Sequence, residues 1–164
     1  MNPATEQQIR ASFVNCSKGE AKRMSLPRDL TGRPWDDLDF LGWRDPGAPE
    51  RGYLVAEHDG RLVGVALRAT NQARGGAQRS MCSLCLTVHS GDGTALMTAR
   101  KPGEAGRQGN SVGAYLCADL DCSLYVRGLK ELEPGGRLHE TLTLEEKIVR
   151  TRANVRAFLD KVIG

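Results

Sequence analysis

The sequence predicts an α+β fold, a small antiparallel sheet with flanking helices and a long C-terminal helix, pinned at one point by clustered cysteines. Three observations carry this. Two glycine-containing turns, His58-Asp59-Gly60 and Gly91-Asp92-Gly93, separate runs with strand character. Four of the five cysteines fall in two close pairs, Cys82/Cys85 and Cys117/Cys122. From Thr143 onward, apolar side chains recur every three or four positions.

Composition sets the frame. The 164 residues include 23 basic and 20 acidic side chains and are 40% hydrophobic, which suits one soluble domain spanning 1–164. The longest uncharged apolar run, Leu62–Leu67, falls far short of the roughly 20 residues a membrane span requires. Glu6, Gln7 and Gln8 stand where a secretory signal needs a continuous apolar stretch, so the expectation is a cytoplasmic protein with no membrane contact.

The elements follow in order. Thr5–Cys16 reads as a short helix, with Ile9, Phe13 and Cys16 on its packing stripe and Cys16 as a small buried thiol. Leu26–Pro49 carries four prolines and three glycines, so it wraps the core without long regular structure, anchored by Trp35, Leu38, Phe40, Leu41 and Trp43. Tyr53–Glu57 and Arg61–Arg68 form a hairpin about Asp59-Gly60. Asn71–Gln78 is a flexible connection, and Met81–Val88 resumes the apolar pattern. A second hairpin turns at Gly91–Gly93 into a return strand, Thr94–Arg100. Lys101–Asn110 is a Gly-rich loop, and Val112–Leu116 is a strand ending at Cys117. A helix follows, with Leu120, Leu124 and Val126 inward and Gly128 as its stop. Thr143 and Glu146 make a capping box for the last helix. Its inner face is Leu144, Ile148, Thr151, Val155, Leu159 and Val162.

The charge is polarised along the chain. Arg33–Asp59 is net −4 and Arg61–Arg107 is net +5, whereas the whole chain is only +3. Either the split marks an interaction surface or it is an ordinary solvated face.

An odd cysteine count forbids complete disulfide pairing, and a reducing compartment disfavours disulfides altogether. Zinc, by contrast, takes four soft ligands in a tetrahedron, and two short-spaced pairs let local turns present them. Cys82-Ser83-Leu84-Cys85 reads as a knuckle, with Cys117 ending a strand and Cys122 in the first turn of a helix whose free amides favour a thiolate. That arrangement is a treble-clef zinc finger in a subdomain of about 80–130, and free thiols remain the alternative. With four protein ligands no position is left for activated water, so one Zn2+ is expected to be structural. No His-x-Glu deaminase signature and no P-loop is present, and no catalytic residue is assigned. His58, His89 and His139 read as solvated loop residues, with His89 a substitute ligand should Cys122 point away.

Beyond spacing, four stretches resemble a family. They are Cys82-Ser83-Leu84-Cys85, Gly106-Arg107-Gln108-Gly109-Asn110-Ser111-Val112-Gly113, Tyr115-Leu116-Cys117-Ala118-Asp119-Leu120, and Cys122-Ser123-Leu124-Tyr125-Val126-Arg127-Gly128. Asn15-Cys16-Ser17 and Leu41-Gly42-Trp43 add weaker support. Together they resemble the elongation factor G-binding proteins with a C-terminal treble-clef zinc finger, which include the FusB-type fusidic acid resistance proteins. The resemblance covers the zinc module, without the helical domain that precedes it in the FusB-type proteins. It implies a non-enzymatic protein that binds elongation factor G and helps it leave the ribosome, with Cys82, Cys85, Cys117 and Cys122 as the metal ligands. The candidate partner contacts are Arg100, Lys101, Arg107 and Arg127, facing acidic factor surface or ribosomal RNA. For Arg107 and Arg127 an internal ion pair is the competing role. The alternative function is a zinc-dependent RNA- or ribosome-binding module; neither reading needs a small-molecule substrate.

Overall fold

The computed structural model describes residues 1–70 and 79–164. The flexible connection expected at 71–78 therefore lies outside the described residues. Among the described residues seven strands form two antiparallel sheets: β1 (Leu41–Asp45), β2 (Ala48–His58), β3 (Arg61–Thr70), β4 (Arg79–Met81), β5 (Val88–Ser90), β6 (Thr94–Arg100) and β7 (Ser111–Cys117). The larger sheet has the order β1-β2-β3-β6-β7, and β4-β5 is a separate ribbon inserted between β3 and β6. Among the described residues five α-helices flank them, α1 (Glu6–Ser12), α2 (Lys18–Arg23), α3 (Gly103–Arg107), α4 (Cys122–Arg127) and α5 (Leu144–Ile163), with two short 3-10 turns at Leu30–Gly32 and Trp35–Asp37.

Both faces of the central hairpin are covered along Tyr53–Ala56, which is why that stretch is apolar throughout rather than alternating. Leu54, Val63, Val65, Leu67, Met97 and Leu116 pack on one side with Ile148, Val155, Phe158, Leu159 and Val162 of α5. On the other side Tyr53 and Val55 meet Trp43, Leu41 and Ile9 beneath the N-terminal helices. There Phe13, Trp43 and Tyr53 form an aromatic cluster, with Phe13 edge-on to both partners.

Several expectations need correction. The first helix stops at Ser12, because Phe13 turns extended and Val14 donates a 3.0 Å bond to the Gly64 carbonyl. Cys16 consequently lies beyond the helix and is half-buried. Ser17 and Glu20 form an unforeseen capping box that starts α2. The Pro-rich stretch contains β1, held to β2 by the register Leu41↔Val55 and Trp43↔Tyr53. All five of its foreseen anchors are buried. The turn at Gly91–Gly93 exists, with Gly93 donating to Ser90, but its flanking strands belong to different sheets: β5 pairs with β4, and β6 pairs with β3 and β7.

Helix α5 begins at the foreseen capping box, Thr143 with Glu146. Its inner face substitutes Phe158 for Leu144, which is 50% exposed. The helix also clasps the β2–β3 turn, where His58 Nε2 lies 2.7 Å from Asp160 and Arg156 lies 2.6 Å from Asp59. His58 is thus buried and partnered, not a solvated loop residue. None of the described helices is long and apolar enough to cross a membrane.

Gly42 of β1 sits against the loop that leads into α4. A Cβ there would lie 2.6 Å from Leu120 Cβ and 2.7 Å from the Leu120 carbonyl oxygen. Gly42→Ala is expected to cost about 1–3 kcal/mol through this overpacking. A urea midpoint equal to that of the parent would show that the loop yields freely.

Candidate metal centre

Three local structures deliver the four sulfurs: one knuckle carries Cys82 and Cys85, a strand end carries Cys117 and a helix start carries Cys122. Cys82 follows β4, and a tight turn returns the chain: Leu86 N–H donates to the Cys82 carbonyl (3.0 Å) and Cys82 N–H to the Thr87 carbonyl (2.9 Å). Leu86 takes φ +59°, an uncommon conformation for a branched residue, so packing and the turn itself hold it there. Ser83 N–H donates to Tyr115 (2.7 Å), which ties this knuckle to β7. Cys117 is the last residue of β7 and Cys122 the first of α4. The link between them reverses through Leu120 at φ +63°. Asn154 of α5 closes the far side by donating to the Leu84 carbonyl at 2.9 Å.

The sulfurs of Cys82, Cys85, Cys117 and Cys122 all lie within 4.8 Å of one another, and all four residues are buried. The Cys82–Cys122 and Cys85–Cys117 separations are 3.6 and 3.5 Å. Ligands at the usual Zn–S bond of about 2.3 Å in a tetrahedron stand about 3.8 Å apart, so this cage fits such an ion. The electrostatics point the same way. Hydrogen bonds from Cys117, Cys122 and Cys85 hold the Cys82 thiol well below its ordinary pKa, while contact with Cys117 and Cys82 pushes Cys122 well above. Crowded thiols cannot all ionise unaided; a central divalent cation allows four thiolates at once.

A second layer of contacts was not legible as such. Thr87 Oγ1 lies 2.9 Å from Cys85 Sγ and 3.0 Å from His89 Nε2. His89 Nε2 in turn lies 3.4 Å from Cys117 Sγ. Because Cys122 points inward, His89 sits beside the cage as a neighbour of a ligand. Tyr125 stands edge-on to His89 and donates to Asp119 at 2.7 Å. Lys130 bonds Asp119 and Asp121, bracing the loop between Cys117 and Cys122. Burial favours protonation of Asp119, but the bonds from Lys130 and Tyr125 prevail and keep its pKa below the usual carboxylate value.

The family model for the FBP C-terminal treble-clef zinc-finger matches residues 8–162. The chain belongs to this family. No curated protein sequence matches significantly. Among solved structures, one described as the structure of the fusidic acid resistance protein FusC is similar with a TM-score of 0.62 at 15% identity. The alignment covers 99% of this chain and 60% of that one, a likeness of fold. This FBP-type finger therefore spans about three-fifths of the length of that solved relative.

Within the FBP-type finger the four candidate contact bases part company. In the β6–β7 pair, Thr94 faces Cys117 at one end and Arg100 faces Ser111 at the other. Arg100, Lys101 and Arg107 therefore crowd the tip, about 20 Å along the strands from the cysteines at the root. They flank the loop between β6 and β7 and stand well away from the metal cage. Part of the expected Gly-rich loop is helix α3, within which Arg107 pairs with Glu104 at 2.6 Å while staying exposed. Arg127 takes the internal role: its side chain is 9% exposed and grips Asp39 through two bonds of 2.7 and 3.0 Å. Arg152 of α5 adds a third bond to the fully buried Asp39 carboxylate. Cys16 stands apart from the cage, its thiol pKa raised by burial.

Proposed function

We propose that this chain is a zinc-stabilised, non-enzymatic binding protein whose partner is translation elongation factor G, and that binding helps the factor leave the ribosome. The observation that carries the proposal is the convergence of four buried sulfurs in a member of this family. Cys82, Cys85, Cys117 and Cys122 hold one Zn2+, which fixes the root of the β6–β7 arm and lets 1–164 act as a single cytoplasmic unit. The tip of that arm offers Arg100, Lys101 and Arg107 to an acidic surface, where charge complementarity sets encounter rate and register. Arg127 instead ties α4 to the segment before β1 through Asp39. The solved relative's description as a fusidic acid resistance protein makes clearance of the drug-trapped factor the matching cellular role.

The test is direct binding of purified factor to the parent chain and to Lys101→Glu/Arg107→Glu. Reversal of the two bases is expected to weaken binding about tenfold without changing zinc content or thermal unfolding. Unchanged affinity would remove the tip as the contact. Failure of the parent to bind factor, with and without ribosomes, would remove the partner.

A further inference from the structure

The sheet face that carries Tyr53, Val55 and Ala66 is covered for only part of its width. The N-terminal segment ends its cover at Asn15, whose side chain donates to the carbonyls of Ala66 and Arg100 at 2.9 Å each. Beyond Asn15 the register sets one row across four strands: Arg51↔Arg68, Arg68↔Thr98 and Thr98↔Gly113. Arg100 lies two residues along from Thr98, on the same face, opposite Ser111. Arg51, Arg68 and Arg100 are all exposed.

Two arginines directly opposite each other on neighbouring strands repel, since their Cβ atoms stand only about 5 Å apart. Here the repulsion is left almost uncompensated. Glu50, the sequence neighbour of Arg51, approaches it at 3.9 Å, and Glu20 feels the Arg100 charge. Arg68 has no ion-pair partner among the described residues. The rest of the row is hydroxyl or glycine, so a ligand backbone can approach closely. Among the described residues the exposed large apolar side chains are Met81, Leu129, Leu138, Leu144 and Val149, and none of them stands in this row. A protein interface typically sets an apolar centre inside its polar rim, and this row has none. A polar, basic row with only weak acidic compensation suits a run of phosphates instead.

We infer that the open half of this face binds single-stranded RNA, with Arg51, Arg68 and Arg100 each meeting one backbone phosphate. The RNA face and the proposed factor-binding tip share Arg100 at their seam, so a partner on the tip and an RNA strand on the face lie side by side. The inference does not depend on the identity of the protein partner.

The experiment titrates the full zinc-loaded chain into a fluorescein-labelled 12-nucleotide RNA of mixed sequence and reads anisotropy at stepped salt. Three phosphate contacts predict a log–log slope near −2, so Kd rises about 20-fold between 50 and 200 mM salt. Arg51→Gln/Arg68→Gln is expected to weaken RNA binding at least tenfold, whereas Lys161→Gln on the exposed side of α5 changes it less than twofold. Because the two substitutions also relieve repulsion, thermal unfolding of the double variant should match or exceed that of the parent. Salt-independent RNA binding, equal losses from Lys161→Gln, or a lowered unfolding temperature would each overturn the inference. So would loss of elongation factor binding with RNA affinity retained, which would make the row a protein contact.

Discussion

Replacing Cys85 by serine is expected to abolish zinc binding and to unfold the segment around the cage. A serine hydroxyl does not ionise near neutral pH, so three sulfurs remain where the tetrahedron needs four. The site is 4% exposed, and the replacement also breaks the contact with Thr87. Zinc binding to small cysteine sites releases about 10–16 kcal/mol. A domain of ordinary size is stable by only about 5–15 kcal/mol in total. Losing even part of the metal's contribution therefore removes most of the margin. Elemental analysis should fall from one zinc per chain to a trace, and the thermal transition of the variant should shift down by 10 °C or more on the usual scaling of about 2–4 °C per kcal/mol. Zinc retained at one per chain would refute the ligand assignment.

The second large effect is expected at Asp39, far from the cysteines in sequence. Its carboxylate is fully buried, takes two bonds from Arg127 and one from Arg152, and its backbone N–H donates to Ser123 Oγ. Three segments of chain thus meet at one negative charge. Asp39→Ala leaves the Arg127 guanidinium, its side chain only 9% exposed, with the Ser123 carbonyl at 3.2 Å and the more distant Asp37 carboxylate at 3.9 Å. Removing one member of such a buried pair typically costs about 3–5 kcal/mol, because the remaining charge is desolvated without its close partner. Arg152→Ala is the contrast: its side chain is 55% exposed, so a loss below about 1 kcal/mol is expected. Urea unfolding of both variants measures the difference, and equal small losses would show that Arg127 escapes to solvent.

The two halves of the problem were unequally legible. Spacing alone located the knuckle, the return strand β6, the strand ending at Cys117 and the capping box at Thr143, because each depends on residues within a few positions of one another. What sequence could not supply was pairing over distance. Nothing local says that β5 abandons β6 for β4, or that Phe13 leaves its helix to bridge Gly64. His58 read as a turn residue because Asp160, 102 positions away, is what buries it. Arg127 read equally well as a contact or as a brace until Asp39 came into view. Arg100, Lys101 and Arg107 lie between the two cysteine pairs in sequence, yet a hairpin puts its turn and its ends at opposite extremes. Thr87 and His89 did carry a signal, standing two and four residues after Cys85, the reach at which a turn can fold back onto its own ligand.

The interlocked position of the cage has a thermodynamic consequence. Cys85 and Cys117 bracket β5, β6, α3 and β7, so an ion bound to both closes a covalent-like ring around an interior strand of the main sheet. Such a ring narrows the ensemble available to the denatured chain as well as bracing the native one. Mass action then makes the apparent folding equilibrium a function of free zinc activity, and a titration with a chelating buffer becomes the natural axis for measuring it.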